Sequence, residues 1–178
     1  QIVDLAANFQ SYESLLGYFS FARSGVVLRG SGKNGSADTR ANLSAMMATA
    51  PTFRQEIEKS KGNPNAIEPR LRDLLEQVLE AANFAKFGPA ILPPSDPASK
   101  SWFTAGNAIM DVMSGASKDS ETSIEDIKLL ENAVRASADK DEDFRAAPTA
   151  VHARLVKRAE ARGEYKRIEL EASYYRKN

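Results

Sequence analysis

The apolar residues of this chain recur at alternating spacings of three and four, and this period constrains the fold more than any other feature of the sequence. In the first segment, the residues at this spacing form a single apolar seam: Ile2, Leu5, Phe9, Tyr12, Leu16 and Phe19. Residues three and four apart share one face of an α-helix, so such a seam is typical of a helix that packs against another helix. Apart from GVVL at 25–28, no segment alternates with the period of two that indicates a strand.

Breaks in this period predict where the next helices begin and end. The second segment has a plausible N-cap at Asp38, and Pro51 interrupts its seam, which predicts either a kink or two short helices. The third helix is expected to open near residues 65–68 and to reach Phe84 or Phe87.

The second half of the chain carries three more helical segments. A short helix is expected from Trp102 to Met113, and a capping box at 122–125 is expected to open the next one. The last long helix should follow Pro148, with its apolar seam running to Tyr175.

A proline-rich stretch, FGPAILPPSDPASK at 87–100, separates the two halves and is expected to be extended and fairly stiff. The other connections are short, and short loops favour antiparallel neighbours. We therefore predict an all-α fold: one domain over 1–178, an up-and-down bundle of about four main helices with additional short helices and a Pro-rich crossover at 88–100.

Composition excludes several classes of function. The chain has 178 residues, a formal net charge of zero and no cysteine. A zero net charge creates no overall attraction to nucleic acid or anionic lipid, and the lack of cysteine excludes disulfides, thiolate catalysis and zinc ribbons. The apolar runs are shorter than the roughly 20 residues that cross a bilayer, so we expect no transmembrane segment. A first residue Gln1 instead of methionine suggests a mature exported protein or part of a longer chain.

The glycine-rich stretch RGSGKNGSAD at 29–38 raises the question of a phosphate-binding loop. Aligning Gly32 and Lys33 to the nucleoside triphosphatase pattern puts Val27 where the first glycine belongs and Asn34 where the hydroxyl belongs. Nucleotide-binding loops of this kind and of the dinucleotide type also follow a strand, whereas this loop is expected to follow a helix. We interpret the stretch as a turn between helices, in which glycine supplies positive φ.

Few residues suggest cofactor or metal chemistry. His152 is the only histidine and fits no catalytic triad; with a methionine it could hold haem, but the candidates sit at core spacing: Met46, Met47, Met110 and Met113. The acidic run DKDED at 139–143 does not fit the calcium-loop pattern. We expect no cofactor and no enzyme activity, although a site built only from carboxylates stays open.

Charge is distributed unevenly along the chain. Acids outnumber bases nine to four between 118 and 143, whereas bases outnumber acids eight to four in the last helical segment. Either neighbouring helices complement each other, or the basic segment docks on an acidic partner. For the second alternative the candidate partner-binding residues are Arg154, Lys157, Arg158, Arg162, Lys166, Arg167 and Arg176. Nucleic acid is disfavoured as the partner because the interleaved Tyr165 and Tyr175 lie on the apolar seam.

The stretch LEASYYR at 170–176 resembles a Leu-x-Ala-Ser-Tyr-x-Arg stretch in the lumenal extrinsic subunits of photosystem II of the PsbQ type. Five of its seven residues match. The resemblance implies a mature, imported four-helix bundle in the thylakoid lumen that binds no catalytic cofactor and stabilises the oxygen-evolving side of the complex.

Two functions of different class follow. The first is a non-catalytic accessory (extrinsic) subunit that docks by a helical face on a larger, membrane-bound complex. The second is an extracytoplasmic sensor domain of a receptor, with a small molecule bound between helices near Trp102, Phe103 and Tyr12. Both place the protein outside the cytoplasm or in an organelle lumen.

Overall fold

The computed structural model describes residues 13–14, 16–29, 37–96, 98–136 and 141–164. Helix accounts for most of this part of the chain, which confirms the all-α prediction. The elements in chain order are α1 (Ser20–Ser24), β1 (Val26–Leu28), β2 (Thr39–Ala41), α2 (Leu43–Ala48), α3 (Ala50–Lys59), a 3₁₀ turn (Pro64–Ala66), α4 (Pro69–Ala85), α5 (Ala105–Ser114), α6 (Ser120–Arg135) and α7 (Asp141–Ala161).

Helix α5 lies at the centre of the fold. It contacts α2, α3, α4 and α6, and six of its ten residues are buried. A helix that is apolar on most of its circumference must be surrounded by other elements. Ile109 and Val112 of α5 therefore pack in one core with Met47 of α2, Val78 of α4 and Ile127 of α6.

The backbones of α4 and α5 approach each other most closely at Gly106. A Cβ atom added to this residue would lie 2.2 Å from the carbonyl oxygen of Ala82 and 2.3 Å from the amide nitrogen of Lys86. Both neighbours are backbone atoms of α4, so neither can rotate away as a side chain could. Glycine at 106, opposite the small residues Ala82 and Ala85, permits this helix crossing.

Consecutive long helices contact each other in the order that the predicted bundle requires. Helix α4 packs against α5, α5 against α6, and α6 against α7. The Pro-rich crossover connects α4 to α5 and packs against the core through Leu92. Leu92 and Phe103 are paired through backbone hydrogen bonds of 3.0 and 2.8 Å. No helix of the described residues is both long enough and apolar enough to cross a membrane.

A buried carboxylate on α6 holds the start of α2. Glu131 is fully buried, and it accepts hydrogen bonds from the backbone amide of Leu43 at 2.6 Å and the hydroxyl of Ser44 at 2.5 Å. The first amides of a helix lack partners within the helix, and negative charge is stabilising there. Arg135 lies 4.0 Å from Glu131 and donates to the carbonyl of Ala22 at 2.6 Å, so one pair of α6 side chains joins α1, α2 and α6.

The segment after α1 differs from its prediction. Strands β1 and β2 pair antiparallel, so the glycine-rich loop follows a strand, and the expectation that it follows a helix is wrong. The expected N-cap Asp38 is also wrong, because α2 begins at Leu43 with Asn42 as its N-cap. The side chain of Gln77 on α4 bonds to both the amide and the carbonyl of Val27, at 2.8 and 3.3 Å, which satisfies the outer edge of β1. In this hairpin the loop leads into a second strand, whereas in a phosphate-binding motif the loop that follows a strand leads into a helix.

The proline effects are partly as predicted. Pro51 lies in the first turn of α3, immediately after α2 ends, so the prediction of two short helices is confirmed. Pro148 lies inside α7, although the last helix was expected to start after it. A proline inside a helix removes one backbone hydrogen bond; beside it, the Thr149 hydroxyl donates to the carbonyl of Arg145 at 2.8 Å.

Two further helix boundaries differ from their predictions. Helix α6 begins at Ser120, because Asp119 accepts a hydrogen bond from the Thr122 amide at 3.0 Å and takes the capping role expected of Thr122. Helix α7 ends at Ala161, and Gly163 then adopts a φ of 70°. The predicted last helix is thus interrupted near Gly163, and the rest of its seam, up to Tyr175, lies in residues 165–178, outside the described part of the chain, as do residues 1–12 of the first predicted helix.

We expect Gly106→Ala to lower the free energy of unfolding by more than about 2 kcal/mol, because the new methyl group must separate α4 from α5. Urea denaturation followed by circular dichroism measures the change. Gly17→Ala is the matched control: Gly17 is helical with nothing within 4 Å of an added Cβ, so alanine should raise stability by about 0.5–1 kcal/mol. Equal effects of the two substitutions would contradict the close crossing.

Candidate functional site

The basic residues predicted to bind a partner are brought together where α7 meets α6 and the crossover. Arg154 and Arg158 lie on α7, and Arg162 follows its last turn. Their spacing of four places them on one side of the helix, and we call these three residues the arginine clasp. Lys157 is exposed beside them, whereas the predicted Lys166, Arg167 and Arg176 lie outside the described residues.

The clasp begins at a buried carboxylate. Asp126 of α6 is only 4% exposed, and it accepts hydrogen bonds from Arg154 Nε at 2.6 Å and from Arg158. A buried carboxylate needs such partners, since leaving it unpaired costs several kcal/mol. Burial by itself would lower the pKa of Arg154, but the hydrogen bond and charge of Asp126 and the charge of Glu125 together raise it, so Arg154 remains charged.

The other end of the clasp binds the backbone of the Pro-rich crossover. Arg158 donates to the carbonyl of Pro93. Arg162 donates to the carbonyl oxygens of Pro94 at 3.0 Å, Asp96 at 3.0 Å and Ser99 at 2.6 Å. An extended segment without helical hydrogen bonds has carbonyls that need donors, and a guanidinium group offers five N–H bonds in a fixed plane.

Glu164 joins the end of the clasp to the start of α5. Its carboxylate accepts from Arg162 at 2.8 Å and from the indole nitrogen of Trp102 at 3.0 Å. Of the residues that the sensor hypothesis placed at a ligand site, Trp102 thus donates its indole N–H to Glu164, and the backbone of Phe103 pairs with that of Leu92. Tyr12, the third residue of that hypothesis, lies outside the described chain.

A groove of about 460 Å³ follows the clasp, with Lys157, Asp119 and Glu125 among its lining residues. Its acidic lining residues, Asp119 and Glu125, come from the N-cap and first turns of α6, and its basic ones come from α7 and the residue that follows it. The clasp arginines are already hydrogen-bonded inside the molecule. The interpretation that neighbouring helices complement each other thus describes Arg154 and Arg158, whereas Arg162 binds the crossover and Glu164. Docking of a partner on this basic face remains a prediction, and Lys157 is the exposed residue there that could contribute.

Residues considered for cofactor chemistry differ in their exposure to solvent. His152 is exposed on α7, whereas Met47 and Met113 are buried in the core. Within the described ranges, no group of three histidine, aspartate or glutamate side chains is placed to hold a metal ion. Of the acidic run at 139–143, only residues 141–143 lie in the described helix α7, and none of the side chains of the run is described.

A second surface lies on α4 and was not predicted as a site. Phe84 is 58% exposed and Phe87 77% exposed, and with Leu79 they line a groove of about 470 Å³. The sequence held a signal for this exposure, because residues 84 and 87 fall off the buried face that includes Val78 and Ala82. We call this site the aromatic groove.

Comparison with known proteins identifies no relative: no family model, no curated protein and no solved structure matches the chain.

Removing the buried carboxylate tests the clasp. We expect Asp126→Ala to lower the free energy of unfolding by about 3 kcal/mol, because Arg154 and Arg158 lose their common partner at a buried site. Lys118→Ala is the control: it removes an exposed ion pair with Asp96 and should change stability little. Urea denaturation measures the free energy of unfolding of both variants. Similar decreases in the two would show that the clasp contributes no more to stability than an exposed ion pair does.

The cap of α6 predicts a dependence on pH. Hydrogen bonds from Thr122 lower the pKa of Asp119 below its ordinary 3.8, so the ionised cap stabilises the fold above that pH and this stabilisation is lost as pH falls through the lowered pKa. Asp119→Ala should cost about 1 kcal/mol at pH 7, and its deficit should shrink in acid.

Denaturation curves at pH 7, 5 and 3 measure that deficit. Asp119→Asn serves as the control, since an amide oxygen still accepts the hydrogen bond but does not titrate. A deficit of Asp119→Ala that stays constant from pH 7 to pH 3 would show that the charge of the cap is unimportant.

Proposed function

We propose that this protein is a non-catalytic accessory subunit that docks by a helical face on a larger protein complex. The exposure of Phe84 and Phe87 at one end of α4 carries the proposal. Full burial of an apolar side chain of this size contributes about 1.5–3 kcal/mol, which these two residues largely forgo in the isolated chain. Exposed aromatic residues that line a groove are typical of protein interfaces, where aromatic side chains contribute much of the binding energy.

The buried charged groups support a function that resides in surfaces. Asp126 binds two arginines of the clasp, and Glu131 binds the start of α2. Each group is used to hold two elements of the fold together. The clasp also keeps the crossover against the bundle, so the surface offered to a partner is built on anchored elements, which reduces the entropy lost on binding.

The resemblance of residues 170–176 to PsbQ-type subunits makes the proposal more specific. On this reading the larger complex is membrane-bound photosystem II, the protein lies in the thylakoid lumen, and docking stabilises the oxygen-evolving side. The exposed Lys157 and the further basic residues of the C-terminal segment would then add an electrostatic contribution.

A pull-down from membranes of the source organism tests the proposal. The tagged chain should recover one large membrane complex in stoichiometric amount at low salt. Recovery should fall at roughly molar salt, because exposed charges are then screened over about 3 Å. Absence of any large complex at low salt would refute the accessory-subunit function.

Replacing both exposed aromatics tests the surface. Phe84→Ala with Phe87→Ala should reduce recovery of the complex at least about tenfold, which corresponds to about 1.4 kcal/mol, while leaving the thermal unfolding midpoint nearly unchanged. Ile57→Ala is the matched control, since Ile57 is an exposed apolar residue on α3 outside the groove. If the double variant recovers the complex as well as the wild-type chain does, Phe84 and Phe87 do not form the docking surface and the proposal loses its support.

A further inference from the structure

The aromatic groove continues along α4 into a second groove. The second groove has a volume of about 490 Å³ and lies between β1 and the first half of α4, with Arg29, Arg70 and Asp73 on its walls. Glu76 lines both grooves, so together they form one surface, the α4 groove. It follows the helix from Pro69 to Phe87, a length of about 25 Å at the rise of an α-helix.

Charge changes sign along the α4 groove. Its first end is basic, with Arg29, Arg70 and Arg72 on its walls. Arg29 lies 3.5 Å from Asp73, and its side chain is still 72% exposed. Arg70 and Arg72 form no ion pair within the described part of the chain, so this end retains positive charge.

The middle of the α4 groove is acidic and the far end is apolar. Glu76 and Glu80 are exposed one turn apart, and neither is ion-paired with a described residue. Like charges at this spacing repel each other by a few tenths of a kcal/mol, a cost that a basic partner group would remove. Phe84 and Phe87 follow, so the order along the groove is basic, acidic and aromatic.

We propose that the α4 groove binds an amphipathic helix of a partner subunit whose own order is acidic, then basic, then a bulky apolar anchor. This inference rests on the proposed function and names the chemistry of its partner. A helix packs against another at 8–10 Å between axes, and helix recognition in grooves uses apolar anchors spaced by three and four. The order of the three blocks fixes the direction in which the helix lies, because the reverse orientation places the apolar anchor against the arginines and the acidic block against Phe84 and Phe87.

Residues 1–12 of the same chain are the competing occupant. Tyr18, in the described chain that follows this segment, lies beside Gly88 at the aromatic end of the α4 groove. It contains the apolar seam Ile2, Leu5 and Phe9, but its single charged residue is Asp4. It therefore lacks the positive charge that Glu76 and Glu80 require, which favours a partner with basic residues.

Two synthetic peptides of identical composition test the proposal. One carries an acidic block, a basic block and a Trp-Leu anchor in that order, and the other has the acidic and basic blocks exchanged. Fluorescence anisotropy with the full chain at low salt should show at least tenfold tighter binding of the first. Equal affinity for the two peptides, or no binding of either, would overturn the proposal.

Charge reversal on the groove provides the matched test. Glu76→Lys with Glu80→Lys should abolish or invert the preference between the peptides, whereas Glu58→Lys, on an exposed residue of α3, should leave it unchanged. If deletion of residues 1–12 raises the affinity for both peptides equally, the groove belongs to that segment and the proposal fails.

The same variants separate this inference from the proposed function. If Glu76→Lys with Glu80→Lys recovers the membrane complex as well as the wild-type chain while the phenylalanine variant does not, the accessory function stands and the charge order is wrong. If the wild-type chain recovers no complex, the function itself fails.

Discussion

The close crossing of α4 and α5 at Gly106 is the constraint on which the rest of the fold depends. Because backbone meets backbone there, α5 can sink to the centre and bury most of its residues against four neighbouring helices. A larger residue would move α5 outward and open gaps around Ile109 and Val112, both almost inaccessible to solvent. Interiors packed at crystal density tolerate such displacement poorly. The positions of the helices that contact α5 thus depend on the absence of a side chain at residue 106.

Helix α6 supplies the polar counterpart of this apolar centre. Glu131 holds the first turn of α2, and Asp126 holds the arginine clasp of α7. Burying a carboxylate costs free energy unless hydrogen-bond partners compensate for the lost water. Each of these two groups therefore stabilises only those arrangements of the helices in which its partners are present. Helix α7 packs mainly against α6, and its polar contacts therefore determine where it and the crossover lie.

The clasp also changes the interpretation of charge in this protein. The surplus of positive charge in the last helical segment suggested a docking face, yet three of its arginines bind carboxylates and carbonyls of the same chain. Glu76 and Glu80 of α4, beside Phe84 and Phe87, are among the groups that stay exposed without an ion pair in the described part of the chain. The distribution of charge along the sequence therefore showed which segment is basic. Which of its charges remain available to a partner depends on the groups that the fold has already paired.

The sequence by itself determined the fold class, most helices and an interruption at Pro51, because helical period and the backbone restrictions of proline act between near neighbours. It also indicated the chemistry of the candidate residues Arg154, Arg158 and Arg162. Only the tertiary structure decided their partners, since Asp126 and the crossover carbonyls lie about 30 to 70 positions away in the chain. The same holds for the hairpin: GVVL at 25–28 stood out from the helical period, but its pairing with β2 and with Gln77 of α4 joins residues that are distant in the chain. Long-range contacts carry no local signal, so the burial of Glu131 became visible only once the helices were packed.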